Sequence, residues 1–114
     1  MLRRGFIDIT VEFIREKVEQ REFLLSFHAH QERQEEAIET AEIREALLDA
    51  EILESYPEDP RGASCLALGF SKGQPIHVVC GRSKSDWLLI ITVYIPREPK
   101  WRDPRTRRRE GVSE

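Results

Sequence analysis

The chain has 114 residues, 39% of them hydrophobic and 34% charged, with a net charge of −3. This is the length and make-up of one globular domain, able to bury a single core without disulfide or metal staples. The longest apolar run, Trp87 to Ile95, is nine residues against the roughly 20 that a spanning helix needs, so no membrane partner is expected.

The N-terminal stretch MLRRGFIDIT carries two arginines, but Asp8 and Glu12 interrupt any signal-peptide core. The two cysteines, Cys65 and Cys80, form neither a disulfide framework nor a zinc spacing. They read as buried thiols in a reducing compartment, and the chain reads as cytoplasmic. Charge is unevenly spread. Residues 1–95 hold 11 Lys/Arg against 17 Asp/Glu, whereas residues 96–114 hold seven against four. That asymmetry points to a nucleic-acid or acidic partner for the tail, or to a solvated end.

Thr10 opens the first predicted helix, with Glu12 in its first turn and Ile9 and Ile14 at the spacing of a hydrophobic staple. Ile7, Val11, Ile14 and Val18 make one apolar stripe at helical spacing. Phe23–Phe27 reads as a short strand. Ser26 then caps a second helix through HAHQERQEEAIE, which has strong helix formers but almost no apolar stripe. Thr40 caps a third, in which Ile43, Ala46 and Leu47 face inward. Both of these helices are rich in glutamate, so their outer faces repel phosphates.

From Ile52 the period changes to that of strands. Ile52–Tyr56 is stopped by the turn-forming run PEDPRG. Ser64–Phe70 and Pro75–Gly81 follow, and a two-residue turn at Lys72-Gly73 sets Ser71 against Gln74, Cys65 against Cys80, and Leu68 against His77. Trp87–Ile95 is apolar on both faces and reads as a central strand with helices on one side. The expected fold is α+β, N-terminal helices on a small antiparallel sheet, as a single domain over residues 1–101. Residues 102–114 are expected to be a basic, disordered tail.

There is no Gly-rich phosphate loop, nucleophile elbow or metalloprotease helix. The candidates are histidines, arginines and one strand-end tyrosine. His28 falls in the first turn of the second helix, where the positive helix end disfavours a protonated imidazole and suits a general base. Arg33 lies five residues on, so the two share a site only along the helix start. His30 has no third ligand near it, and no metal or other cofactor is expected. His77 sits mid-strand, and Tyr94 sits on the face taken to hold Thr92 and Ile90. Arg97, Lys100, Trp101 and Arg102 interleave cations with an aromatic group, as single-stranded nucleic acid requires. Each also has a structural reading: a histidine at a helix start, a sheet histidine, a packed tyrosine, a tryptophan folded back on the domain edge.

The blocks SFHAHQERQEE, EIREALLDAEILESYPEDPRGASCLALGF, PIHVVCG, WLLIITVYIP and PKWRDPRTR resemble, in that order, a bacterial family known as domain of unknown function 4258. That family in turn resembles the RelE/MqsR-like toxins of type II toxin–antitoxin systems. The resemblance implies their helix-then-antiparallel-sheet fold and a metal-independent endoribonuclease that cleaves mRNA, on or off the ribosome. It also implies a cognate zinc-binding antitoxin as partner. Carried over by position, His28 is the base, His77 or Tyr94 the acid or phosphate donor, and Arg33 and Arg61 phosphate ligands. Those enzymes rely on Lys and Arg, whereas this chain is acidic. The alternative is a non-catalytic protein-binding module of the same fold.

Overall fold

A computed structural model describes residues 8–108. Three nine-residue helices, α1 (Val11–Glu19), α2 (Phe27–Glu35) and α3 (Thr40–Leu48), accompany five strands of one sheet: β1 (Phe23–Leu25), β2 (Glu51–Tyr56), β3 (Ser64–Ser71), β4 (Gln74–Arg82) and β5 (Leu88–Tyr94). The strand order is β1-β5-β4-β3-β2, antiparallel except for the parallel pair β1–β5. A separate two-stranded hairpin follows, β6 (Trp101–Asp103) and β7 (Thr106–Arg107). The fold is α+β, as the sequence predicts.

The local signals act as expected at most helix starts. The Thr10 side chain accepts from Phe13 N, and Ile9 and Ile14 are both buried. Phe13 adds to the buried face, while Ile7 of the predicted stripe lies outside the described residues. Ser26 caps α2 by accepting from Ala29 N at 3.0 Å. The cap of α3 is Glu39 rather than Thr40, with Glu42 Oε1 taking the Glu39 N–H at 2.8 Å. A glutamate three residues on reaches back to the entry residue and moves the boundary by one.

The β3–β4 turn places Lys72 and Gly73 at φ of 53° and 82°, the left-handed pair that a two-residue hairpin demands. The register then runs Ser71↔Gln74, Leu68↔His77 and Cys65↔Cys80, as read from the sequence.

The core lies between the sheet and helices α1 and α3. Ile14, Val18, Ile43, Ala46 and Leu47 meet Cys65, Ala67, Ile76, Val78, Cys80, Ile90 and Val93. Gly69 allows α3 to settle directly on β3: a Cβ there would lie 1.9 Å from the Ala46 carbonyl oxygen. The cysteine sulfurs are buried, unbridged and 3.8 Å apart.

Two irregularities rotate the sheet's outer residues. Between the Val79↔Thr92 and Cys80↔Ile90 pairs, β5 carries one extra residue, Ile91, and between the Ile52↔Ala67 and Glu54↔Leu66 pairs β2 carries Leu53. Ile90 therefore faces the helices while Thr92 and Tyr94 face away, which corrects the expectation that Ile90 and Tyr94 share a face. On β2 the same device sends Ile52 inward and Glu54 and Tyr56 outward.

The outer face is not bare. Leu66 and Leu68 are buried there, although neither belongs to the helix-side core. The β6–β7 hairpin reaches this face, where Trp101 meets His77, the cross-strand neighbour of Leu68, and Arg105 and Arg107 pair with Glu51 and Glu54. Residues 102–108, assigned by sequence to a disordered tail, instead fold back with Trp101 buried at 3% exposure. Composition suggested a solvated segment. Three ion pairs of the segment and the neighbouring Trp101 anchor overrule it: Arg105–Glu51, Arg107–Glu54 and Arg108–Glu98. Residues 109–114 lie outside the described residues.

Candidate functional site

The site begins where β1 ends. β1 covers only the first half of β5, so the remaining edge of β5 needs other partners for its backbone groups. Ser26 supplies two, its N–H to Ile90 O at 2.9 Å and its hydroxyl to Ile91 O at 3.0 Å. Glu32, six residues further along, accepts from Val93 N at 3.0 Å. The other carboxylate oxygen of Glu32 meets His28 Nε2 at 3.1 Å. Glu32 thus joins the edge of the sheet to His28, whose side chain is 64% exposed. A histidine and a carboxylate at i and i+4 share a helix face by geometry alone.

His77 has the opposite environment. Its ring is fully buried beneath the hairpin, edge-on to Trp101 with centroids 4.4 Å apart. Nε2 lies 2.7 Å from the Pro104 carbonyl oxygen, which can only accept, so Nε2 carries the proton. Nδ1 then accepts from the Tyr94 hydroxyl at 3.1 Å. Burial pushes the His77 pKa below its ordinary value, and the Pro104 carbonyl only partly offsets that. Both nitrogens are committed, and the imidazole is neutral and unavailable to substrate. Burial likewise raises the Tyr94 phenol.

Beside this joint, Arg107 stands 4.6 Å from the Trp101 ring centroid and pairs with Glu54 at 3.0 Å. Burial would raise the Glu54 carboxyl, but hydrogen bonds from Arg107 and Tyr56 outweigh it and hold the group low. Tyr56, partly buried and bonded to Glu54, is pushed up to about 12.

A cavity of about 290 Å³ opens between α2 and the hairpin. Glu32 and Glu36 line it on the helix side, and Tyr94, Ile95, Arg97, Lys100 and Trp101 on the other. Arg97 pairs with Glu36 at 2.9 Å, while Lys100 has no ion partner among the described residues. The Trp101 indole N–H is buried beside the Tyr94 hydroxyl but lacks hydrogen-bond geometry to it or to any described group.

The predicted residues divide accordingly. Tyr94, Arg97, Lys100 and Trp101 meet at this cavity, and His28 adjoins it through Glu32. His77 lies underneath as a support. Arg33 turns away, its guanidinium on the Ile38 carbonyl at 3.1 Å and His30 Nδ1 at 3.3 Å. Arg61 lies at a separate hollow of about 170 Å³ with Ser26, Leu89 and Ile91. There it is bonded to Asp59, whose carboxyl it holds down at about 2. Arg102 is exposed on β6. The sequence reading assigned no role to Glu32 or Glu36. Glu32 was visible as the i+4 neighbour of His28, but its role at the edge of β5 depends on where β1 stops.

The sequence profile described as Domain of unknown function (DUF4258) matches residues 25–95, more than half of the chain, and the protein belongs to that family. No curated protein and no solved structure matches it. Among the described residues, no helix is long and apolar enough to cross a membrane.

Proposed function

We propose that the protein is a small endoribonuclease acting on single-stranded RNA, a RelE/MqsR-like toxin, with its site along the flank of α2 and the end of β5. The observation that supports this reading is one cavity lined by Glu32, Tyr94, Arg97, Lys100 and Trp101, with the exposed His28 held 3.1 Å from the outer oxygen of Glu32. Glu32 orients the imidazole, and His28 takes the proton from a ribose 2′-hydroxyl. The O2′–P bond forms as the P–O5′ bond breaks, Lys100 and Arg97 steady the charge on the phosphoryl oxygens, and the leaving O5′ takes a proton from the Tyr94 hydroxyl or water. His77 has no chemical role in this scheme and positions Tyr94.

The test is regulated expression of the wild type and His28→Ala in a bacterial host, paired with purified protein and a single-stranded RNA in the presence of a chelator. Growth arrest, mRNA loss and products ending in 2′,3′-cyclic phosphate are expected for the wild type alone. Stable RNA at high soluble expression would sink the reading.

A second reading, a protein-binding module, has its own support. Phe27 and Leu24 are 76% and 45% exposed at the β1–α2 edge, and most of the tail arginines are already neutralised by glutamates. An antitoxin-like partner covering Phe27 would accommodate both readings.

A further inference from the structure

We propose that Glu36 is an intramolecular competitor for RNA phosphate: in the free protein its carboxylate occupies Arg97, and RNA has to displace it. The inference rests on the ribonuclease reading and deepens it, because this autoinhibitory contact sets how readily the site takes up an anion.

The charge around the cavity is the first observation. A surface that binds a polyanion gains affinity from each free cation that meets a phosphate. Here Arg97 and Lys100 face Glu32 and Glu36, and the formal charges cancel. Glu32 has a place in the fold, since it accepts from Val93 N at the open edge of β5 and meets His28. Glu36 has no such place. Among the described residues its side chain meets Arg97 alone, with its two oxygens 2.9 and 3.3 Å from Nη1.

The position of Glu36 is the second observation. It is the C-cap of α2, at the negative end of the helix dipole, where a cation is favoured and a carboxylate disfavoured. Local electrostatics therefore oppose a glutamate here, and the contact with Arg97, 61 residues away in the chain, offsets that cost. A residue that breaks a local rule beside a candidate site is where function is expected.

The geometry makes the contact exchangeable. The Arg97 side chain is 59% exposed and held through one nitrogen, so Nε and Nη2 carry no hydrogen bond to the described residues. An exposed pair of this kind is weak, and a phosphate offers the guanidinium fork two charge-assisted bonds. Arg105 and Arg107, by contrast, are each gripped through both Nε and Nη2 by carboxylates of β2.

The experiment measures binding of a single-stranded 2′-O-methyl RNA, which lacks the attacking hydroxyl, by fluorescence anisotropy between about 50 and 200 mM salt. Wild type, Glu36→Gln, Arg97→Gln and the double variant are compared, each with an unchanged circular dichroism spectrum. Glu36→Gln is expected to bind several-fold more tightly at the lower salt, the worth of one exposed ion pair. Its plot of log affinity against log salt is expected to steepen by about 0.7, the contribution of one further cation freed for a single strand. In the Arg97→Gln background the same change is expected to alter affinity by less than about twofold. An equal gain in both backgrounds would reveal plain repulsion by Glu36, and no gain in either would reveal no competition. Each of those results overturns the inference and leaves the ribonuclease reading standing. No binding by any of the four proteins would overturn both. The expected pattern in a protein that never cleaves RNA would keep the competition and remove the nuclease.

Discussion

His77 and Tyr94 stand opposite each other on β4 and β5, and the 3.1 Å bond between Nδ1 and the phenol ties two strands to the hairpin that Pro104 anchors. A histidine and a tyrosine this close suggest an acid–base couple. For the histidine burial says otherwise, because a ring with both nitrogens committed and no exposed surface cannot trade protons with RNA.

His77→Ala is therefore expected to act on stability. It removes a fully buried ring and leaves the Pro104 carbonyl without its donor, together costing about 3 kcal/mol. Urea denaturation measures the loss, and hydrogen exchange should show residues 101–108 losing protection first. A change below 1 kcal/mol, with the hairpin still protected, would contradict the joint.

The same ring predicts a pH dependence. The folded His77 pKa lies below its ordinary 6.5, so the unfolded chain binds its proton first. Its contribution is complete above about pH 6.5 and is lost as pH falls from there towards the folded pKa, with a slope of at most about 1.4 kcal/mol per pH unit. Denaturation midpoints between pH 7.5 and 5 should fall in the wild type and fall less in His77→Gln.

Gly69→Ala should be among the most damaging single changes. The added Cβ would meet the Ala46 carbonyl oxygen at 1.9 Å, and that oxygen belongs to helix backbone that cannot rotate aside. Displacement of α3 is expected to cost about 3 kcal/mol, the upper end of overpacking effects, read by chemical denaturation.

The ion pairs over the outer face should be individually weak. Arg107 is 46% exposed, and Arg107→Met is expected to cost about 1 kcal/mol or less, shrinking further in 1 M salt. A much larger loss would mean that the stacking of Arg107 on Trp101, not the charge, holds the hairpin.

Cys65 and Cys80 should be silent towards thiol reagents. Both are buried, and the neighbouring sulfur and burial raise the Cys80 thiol well above its ordinary value. No labelling is expected at pH 8 until denaturant is added, and fast native labelling would show that the core opens.

Much of the fold is legible in the sequence because its causes are local. The hydroxyl of Ser26, the left-handed turn at Lys72-Gly73 and the stripe through Ile14 and Val18 each act within a few residues. With that turn known, the alternation of strand side chains carries the register as far as Cys65↔Cys80.

What the sequence could not decide depends on residues far apart in the chain. The extra residues Leu53 and Ile91 rotate Glu54 and Tyr94 to the outer face, and a one-residue shift leaves no trace in an apolar run. Residues 102–108 look like a solvated basic tail until Glu51 and Glu54, some 53 residues earlier, meet Arg105 and Arg107. The sequence by itself determined the helices, the hairpin register and the family. Only the tertiary structure decided which histidine reaches solvent. Burial of His77 and exposure of His28 follow from where the hairpin lands and where β1 stops, long-range events that local pattern does not encode.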